Sequence, residues 1–331
     1  MPKFIPRFDF PRYNIPIADF KGHQLKALRR FEKLKPQFHL VLELRDLRAP
    51  LSTRNVLLDQ VVDKRHHERL VIYTKRDCFP SSSPYLDRLA QWHAELEENF
   101  LMVDSRHRNA SNHILRCIHW HHELHREKNY GLAPPLGFKV LVTGMPNVGK
   151  STLINSMRGS SGKVARTGSE AGVTRSTSES IKIGQDGNGV YLIDTPGVGL
   201  PARLSDANRM LALTLCGCVK RSLVDPWIQA DYLLYLMNLQ LPYGTDNIKE
   251  AERKLSTYPG ALEEPTNDLE VVLNRLRRHP RESDTSVALR WLEEPRSGLV
   301  LDPELLLPCA DFSMSQHVKQ ELKHARKAMR K

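Results

Sequence analysis

The run Gly144-Met145-Pro146-Asn147-Val148-Gly149-Lys150-Ser151 places glycines, a lysine and a hydroxyl at the spacing G-x-x-x-x-G-K-[ST]. Glycine lets a backbone turn tightly enough for successive N–H groups to converge on phosphate oxygens. The lysine reaches the β and γ phosphates, and the serine hydroxyl is a hard oxygen ligand for Mg²⁺. The chemistry is the binding of a nucleoside triphosphate, with Asn147, Val148, Gly149, Lys150, Ser151 and Thr152 against the phosphates. A glycine-rich turn that binds nothing is the bland alternative. The flanks argue against it, because Phe138 to Thr143 is an apolar run of strand length and Ser151 to Met157 has helical spacing.

A second phosphate element, Asp194-Thr195-Pro196-Gly197, ends another apolar run about forty residues further on. Asp194 is expected to hold Mg²⁺ through water, and the Gly197 N–H to meet the γ-phosphate. Between the two lies the Gly/Ser/Thr-rich stretch 159–177. Thr174, ahead of Thr167 and Thr177, is expected to complete Mg²⁺ coordination only while the γ-phosphate is present. The residue after Gly197 is Val198, where Ras-type enzymes carry a water-orienting glutamine, so slow intrinsic turnover is expected.

Base recognition reads out of two further strand ends. The run Arg69 to Tyr73 delivers Thr74-Lys75-Arg76-Asp77. A carboxylate at Asp77 can accept both N1–H and the 2-amino group of guanine; adenine offers no such pair, which disfavours an ATP-dependent enzyme. Lys75 would lay its alkyl stem across the base. The usual pattern is N-K-x-D, and Thr74 in place of Asn removes the side-chain amide that ties this loop to the phosphate loop; a threonine hydroxyl can replace part of that bonding. The run Phe100 to Val103 ends in Asp104-Ser105-Arg106, where Ser105 and Arg106 would support the base through backbone N–H groups. Each fragment alone is as ordinary as a surface turn, and the order of the two gives them weight.

These motifs need a sheet to hold them. The expected fold is α/β, a mostly parallel six-stranded sheet, with base recognition first, then the phosphate loop, then the switches. That order is a circular permutation of the usual one, which a sheet tolerates when the original ends lie close. The boundaries expected are a basic arm and helix over 1–36, the nucleotide domain over 37–200, and an all-helical domain over 201–331 whose apolar residues recur at helical spacing. The helix expected over 112–129 carries His113, His119, His121, His122 and His125. His121 and His125 share a face at i, i+4, but a solvated or RNA-facing helix is favoured over a zinc site.

The chain has 331 residues and a net charge of +11, which points to a polyanionic partner beyond the nucleotide. Five cysteines without a C-x-x-C pair read as reduced, and no apolar run reaches membrane-spanning length. The arm is basic, proline-bearing and free of serine; matrix targeting fits it about as well as packing on the next domain or touching RNA. The C-terminal segment from Gln316 holds six Lys/Arg against Glu321, a solvated face or an RNA contact.

The permuted order, together with Arg45-Asp46 to Asn55 (R-D-x-R-x-P-L-S-x-R-N), G-M-P-N-V-G-K-S and D-T-P-G, resembles the circularly permuted GTPases of the ribosome biogenesis GTPase A type. The likeness covers about residues 20 to 240, and the extended basic arm and long C-terminal half are similar to the eukaryotic mitochondrial branch. Gly22-His23-x-x-Lys26-Ala27 is similar to a short N-terminal element of that family, which implies that His23 assists hydrolysis. Asn147 matches the position where potassium-dependent relatives carry an asparagine that helps hold K⁺. The resemblance implies a GTPase stimulated by the ribosome and by K⁺, with GTP or GDP and Mg²⁺ bound at Ser151, Thr174 and Asp194. It further implies a role in assembling the large subunit of the mitochondrial ribosome through its rRNA, on the matrix side and peripheral to the inner membrane. The reading from another class is a nucleotide-gated RNA-binding scaffold in which hydrolysis is incidental.

Overall fold

The computed structural model describes residues 4–17, 29, 31–62, 67–81, 83–158, 181–183, 189–241, 264–307 and 312–329. His23, Thr174 and the rest of the N-terminal G-H-x-x-K-A element and of the first switch lie outside the described residues.

Six strands form one sheet: β1 (Leu40–Asp46), β2 (Glu68–Thr74), β3 (Asn99–Met102), β4 (Phe138–Gly144), β5 (Ile181–Ile183) and β6 (Val190–Asp194), in the order β3-β2-β1-β4-β6-β5. All neighbours run parallel except β5, which is antiparallel to β6. Every residue of β1 is buried, including Glu43, Arg45 and Asp46. That matches a central parallel strand covered on both faces, although three of its seven buried residues are charged. The expected α/β class and permuted order are therefore found. β4 sits between β1 and β6, and β2 and β3, which precede it in the chain, occupy one flank. Because β1, β2, β3, β4 and β6 point the same way, the loops carrying the motifs gather at one edge, where open parallel sheets bind ligands.

The helices are α1 (Leu58–Val61), α2 (Pro84–Leu96), α3 (Arg108–Lys128), α4 (Lys150–Arg158), α5 (Ala207–Leu215), α6 (Pro226–Leu239), α7 (Leu269–Leu276), α8 (Asp284–Glu293) and α9 (Met314–Met329). α3 corrects the expectation of a solvated or RNA-facing helix. Ile114, Ile118, His121 and His122 form a buried stripe, and the His122 and His125 rings lie 4.9 and 5.7 Å from Phe138. His39 stacks on the same ring at 5.1 Å, and burial lowers its pKa to about 4, so it packs as a neutral imidazole. Only the opposite face, with His113, Arg116 and Trp120, is exposed.

Beyond β6 the chain becomes helical, as the spacing predicts. α6 opens on Pro226 with Asp225 capping the Trp227 N–H at 2.8 Å, and it is buried almost all round. Ala230, Leu233 and Leu234 pack against α7 and α8 around Val272 and Trp291, while Tyr232, Tyr235 and Leu236 join the sheet's own core. The chain then returns to the nucleotide domain. The Leu301 N–H bonds the Arg48 carbonyl at 2.7 Å, and Phe312 meets Trp92 of α2 edge-on at 5.4 Å.

The described part of the arm, residues 4–17, packs on the helical domain. Asp231 is a buried carboxylate inside α6; the Arg7 guanidinium meets it at 2.6 and 3.2 Å and the Tyr13 hydroxyl at 3.2 Å. Phe10 seats against Tyr232 at 4.9 Å. A buried charge requires a partner, so this contact makes the arm a working part of the domain.

Candidate functional site

The phosphate loop bridges β4 and α4. Its turn needs left-handed backbone at Gly149 (φ 95°) and, unusually for a residue with a side chain, at Asn147 (φ 56°). Gly144 has φ 146°, and a Cβ there would stand 2.3 Å from the Leu44 carbonyl oxygen of the adjacent strand. Lys150 is buried and folds back on its own loop, donating to the Met145 carbonyl at 2.7 Å and the Gly144 carbonyl at 3.3 Å. Burial lowers its pKa to about 8. An ammonium held on loop carbonyls is one that anionic oxygens can claim.

Switch II lies flush against this loop. The Val198 N–H bonds the Gly144 carbonyl at 3.1 Å, and the Thr195 hydroxyl bonds the Val142 carbonyl at 2.7 Å. A Cβ on Gly197 would come within 2.6 Å of the Pro146 backbone, so no other residue fits there without parting the two segments. Val198, at the position of the Ras glutamine, is buried in a cluster with Phe31, Phe38 and Ile193. Asp194 is buried at the end of β6, in register with Val142 of β4.

The Mg²⁺ that the fold implies suits this donor set. The Ser151 hydroxyl, in the first turn of α4, and the Asp194 carboxylate, at the end of β6, are hard oxygens, the ligand type Mg²⁺ prefers, and the ion would neutralise charge shared between β and γ oxygens.

The base loops flank the phosphate loop. The Thr74 hydroxyl donates to the Val148 carbonyl at 2.8 Å and lies 3.3 Å from the Arg45 carbonyl. The hydroxyl thus ties the base loop to the phosphate loop, as the amide of an asparagine would. Lys75 takes left-handed backbone (φ 64°), and the Arg76 N–H bonds the Val103 carbonyl at 3.2 Å, which brings Asp77 beside the Asp104-Ser105-Arg106 loop. The Arg106 guanidinium reaches Asp77 at 2.7 Å. The Arg106 N–H, expected to face the base, donates to the Asp104 carboxylate at 3.1 Å.

The Asn147 amide donates to the Gly217 carbonyl at 2.8 Å, just beyond α5. The phosphate loop is therefore bonded directly to the helical domain. A second link runs through the loop after β1, whose role could not be read from its motif alone. Asn55 donates to the Val198 carbonyl at 2.8 Å, so it touches switch II. Arg54 pairs with Asp59 and with Glu321 of α9, and Arg209 of α5 bridges Glu321 at 2.7 Å and the Ser52 carbonyl at 3.1 Å. Asp302 accepts from the Leu51 N–H at 2.7 Å and from the Ser52 hydroxyl at 2.5 Å. Behind them, burial alone would raise the Glu43 carboxyl, yet Arg45 and Arg69 hold it below the usual range. The one available signal was the density of charge at the end of an otherwise apolar strand.

The model of the 50S ribosome-binding GTPase family matches residues 139–275. Mitochondrial GTPase 1 of Saccharomyces cerevisiae is 48% identical over 338 residues, covering 96% of this chain and 89% of its own. Mitochondrial ribosome-associated GTPase 1 of Xenopus tropicalis is 31% identical, covering 78% of each chain. Ribosome biogenesis GTPase A of Bacillus cereus is 34% identical, covering 68% of this chain and 73% of its own. A phosphate loop on the central strand of a permuted sheet, read with near-full-length identity of this order, places the chain in the mitochondrial GTPase 1 family of circularly permuted GTPases.

Proposed function

We propose that the protein is a GTP-gated assembly factor for the large subunit of the mitochondrial ribosome, binding rRNA-containing particles in one nucleotide state and leaving in the other. The observation that carries the reading is the bonding of the nucleotide loops: Asn147 joins the phosphate loop to Gly217 beyond α5, and Asn55 joins switch II at Val198 to the loop whose Ser52 and Arg54 pair with Asp302 and Glu321. A change at the γ-phosphate that moves Gly197 must strain or release both. The relatives' names supply the ribosome, and a basic face supplies the polyanion contact. On α9, Lys319, Lys323, Arg326 and Lys327 are exposed, whereas Glu321 turns inward to Arg54 and Arg209 and leaves that face uncompensated.

Guanine is read by Asp77, with Lys75 along the base and Thr74, Arg76, Ser105 and Arg106 shaping the pocket. Val148, Gly149, Lys150, Ser151, Thr152 and the Gly197 N–H hold phosphates. Ser151, Thr174 and Asp194 serve Mg²⁺, and Asn147 serves K⁺, a role that equal hydrolysis rates in KCl and NaCl would refute. With Val198 buried, turnover is slow and His23 assists it once a particle is bound. Ile17 lies beside Pro146, Gly199 and Leu200, and Phe31 packs with Val198, so both flanks of the His23 segment are anchored along switch II. The protein works in the matrix, peripheral to the inner membrane; no described helix is long and apolar enough to cross one.

The test is sedimentation of the tagged protein on mitochondrial ribosomal gradients with a non-hydrolysable GTP analogue against GDP. Co-migration with large-subunit particles in the analogue alone is expected, and equal migration in both refutes the gate. His23→Ala should abolish stimulated hydrolysis and trap the particle-bound form; normal assembly without hydrolysis would favour the scaffold reading.

A further inference from the structure

The two groups that should greet guanine are already satisfied by neighbours. Asp77, the acceptor for N1–H and the 2-amino group, takes the Arg106 Nη2 donor at 2.7 Å on its Oδ2. The Arg106 N–H, the donor for the guanine carbonyl, gives its proton to Asp104 Oδ1 at 3.1 Å. The guanidinium is itself held by Asp104 as a fork, Nε to Oδ1 at 2.9 Å and Nη2 to Oδ2 at 2.8 Å. Side by side, one guanidinium nitrogen faces Asp77 and a carboxylate oxygen faces the loop N–H. Those are the hydrogen-bonding complements that the guanine edge would present.

We infer that the Asp104–Arg106 pair is a built-in stand-in for the guanine edge, and that guanine must displace it to bind. The inference rests on the reading of Asp77 as the guanine acceptor. Arg106 is about two-thirds exposed and Asp77 about one-third, so the pair lies at the mouth of the pocket, where a guanidinium can swing into solvent without disturbing the core. Asp104 sits deeper and stays charged, its carboxyl held down to about 2, chiefly by the Arg106 side chain. The consequence is kinetic as well as thermodynamic. An occupied acceptor slows entry and thereby weakens binding. Arg106 is in this account a specificity and affinity residue acting through Asp77.

The experiment is equilibrium and stopped-flow binding of N-methylanthraniloyl-GDP to the full chain at low salt. An exposed charge pair contributes at most about 1 kcal/mol, so Arg106→Ala should tighten binding about two- to fivefold, mainly through faster association. Asp104→Ala should change it in the same direction. Unchanged or weaker binding in Arg106→Ala overturns the inference, since it would mean that Arg106 is idle or contacts the base itself. Asp77→Asn separates this from failure of the premise: it should exchange GDP preference for XDP, and retained GDP preference would show that Asp77 does not read the base. Adding Arg106→Ala to Asp77→Asn should bring no further gain. An equal gain in both backgrounds means that Arg106 acts elsewhere, and the inference falls.

Discussion

Replacing Thr74 by valine exchanges one hydroxyl for a methyl group and keeps the branched shape and strand preference of the side chain. Thr74 is fully buried at the end of β2, and its hydroxyl is the direct bond from the base loop to the Val148 carbonyl, 2.8 Å away in an equally buried stretch of the phosphate loop. Leaving that carbonyl short of a donor costs roughly 1–3 kcal/mol in unfolding free energy. The two loops must also be in register for one nucleotide to span them, so part of this loss should appear as weaker binding. About 1 kcal/mol of coupling corresponds to a roughly fivefold higher Kd for GDP. Urea unfolding of wild type and Thr74→Val, each with and without saturating GDP, separates the two effects; Thr74→Ser, which restores the donor, should recover the affinity. If Thr74→Val binds GDP as wild type does and unfolds at the same urea concentration, the hydroxyl is not the tether, and the substitution of Thr for Asn in the motif has no structural replacement.

Other outcomes follow from the same geometry. Gly197→Ala should part switch II from Pro146 and break the Val198–Gly144 bond; we expect binding of a non-hydrolysable GTP analogue to fall more than about tenfold while GDP is affected less, because a clash of backbone with Cβ at 2.6 Å has no flexible side chain to absorb it. Lys150, lowered to about 8 by burial, should regain its ordinary pKa against phosphates, so GDP binding at pH 8 should take up about half a proton, measurable by calorimetry in buffers of different ionisation enthalpy. Because the folded pKa lies below the unfolded one, the nucleotide-free protein should gain stability as pH rises from about 8 towards 10.5, and saturating GDP should flatten that slope.

The phosphate loop, the D-T-P-G element and the permuted order were legible because each is a local backbone requirement written in glycine, lysine and hydroxyl at fixed spacing. Gly144 and Gly197 show the reason: both face backbone too close for any Cβ. The strands were legible as apolar runs, with ends shifted by a residue or two. What stayed hidden depends on partners far along the chain. The histidines of α3 look like a wet surface until Phe138 and His39 are placed beneath them. Arg7 looks like one charge of a basic arm until Asp231 is found buried opposite it. Asp302, Arg209 and Glu321 gain meaning only because the chain returns to the loop after β1, and no spacing within any one segment encodes that return.

The central claim is that this chain selects guanine through Asp77, and competition for N-methylanthraniloyl-GDP tests it most directly. Two hydrogen bonds to a carboxylate, each contributing about 1.5–3 kcal/mol, should let GDP displace the probe at least a hundredfold better than ADP, and Asp77→Ala should erase that margin. Displacement by ADP at concentrations similar to GDP, or full selectivity retained in Asp77→Ala, would contradict the account.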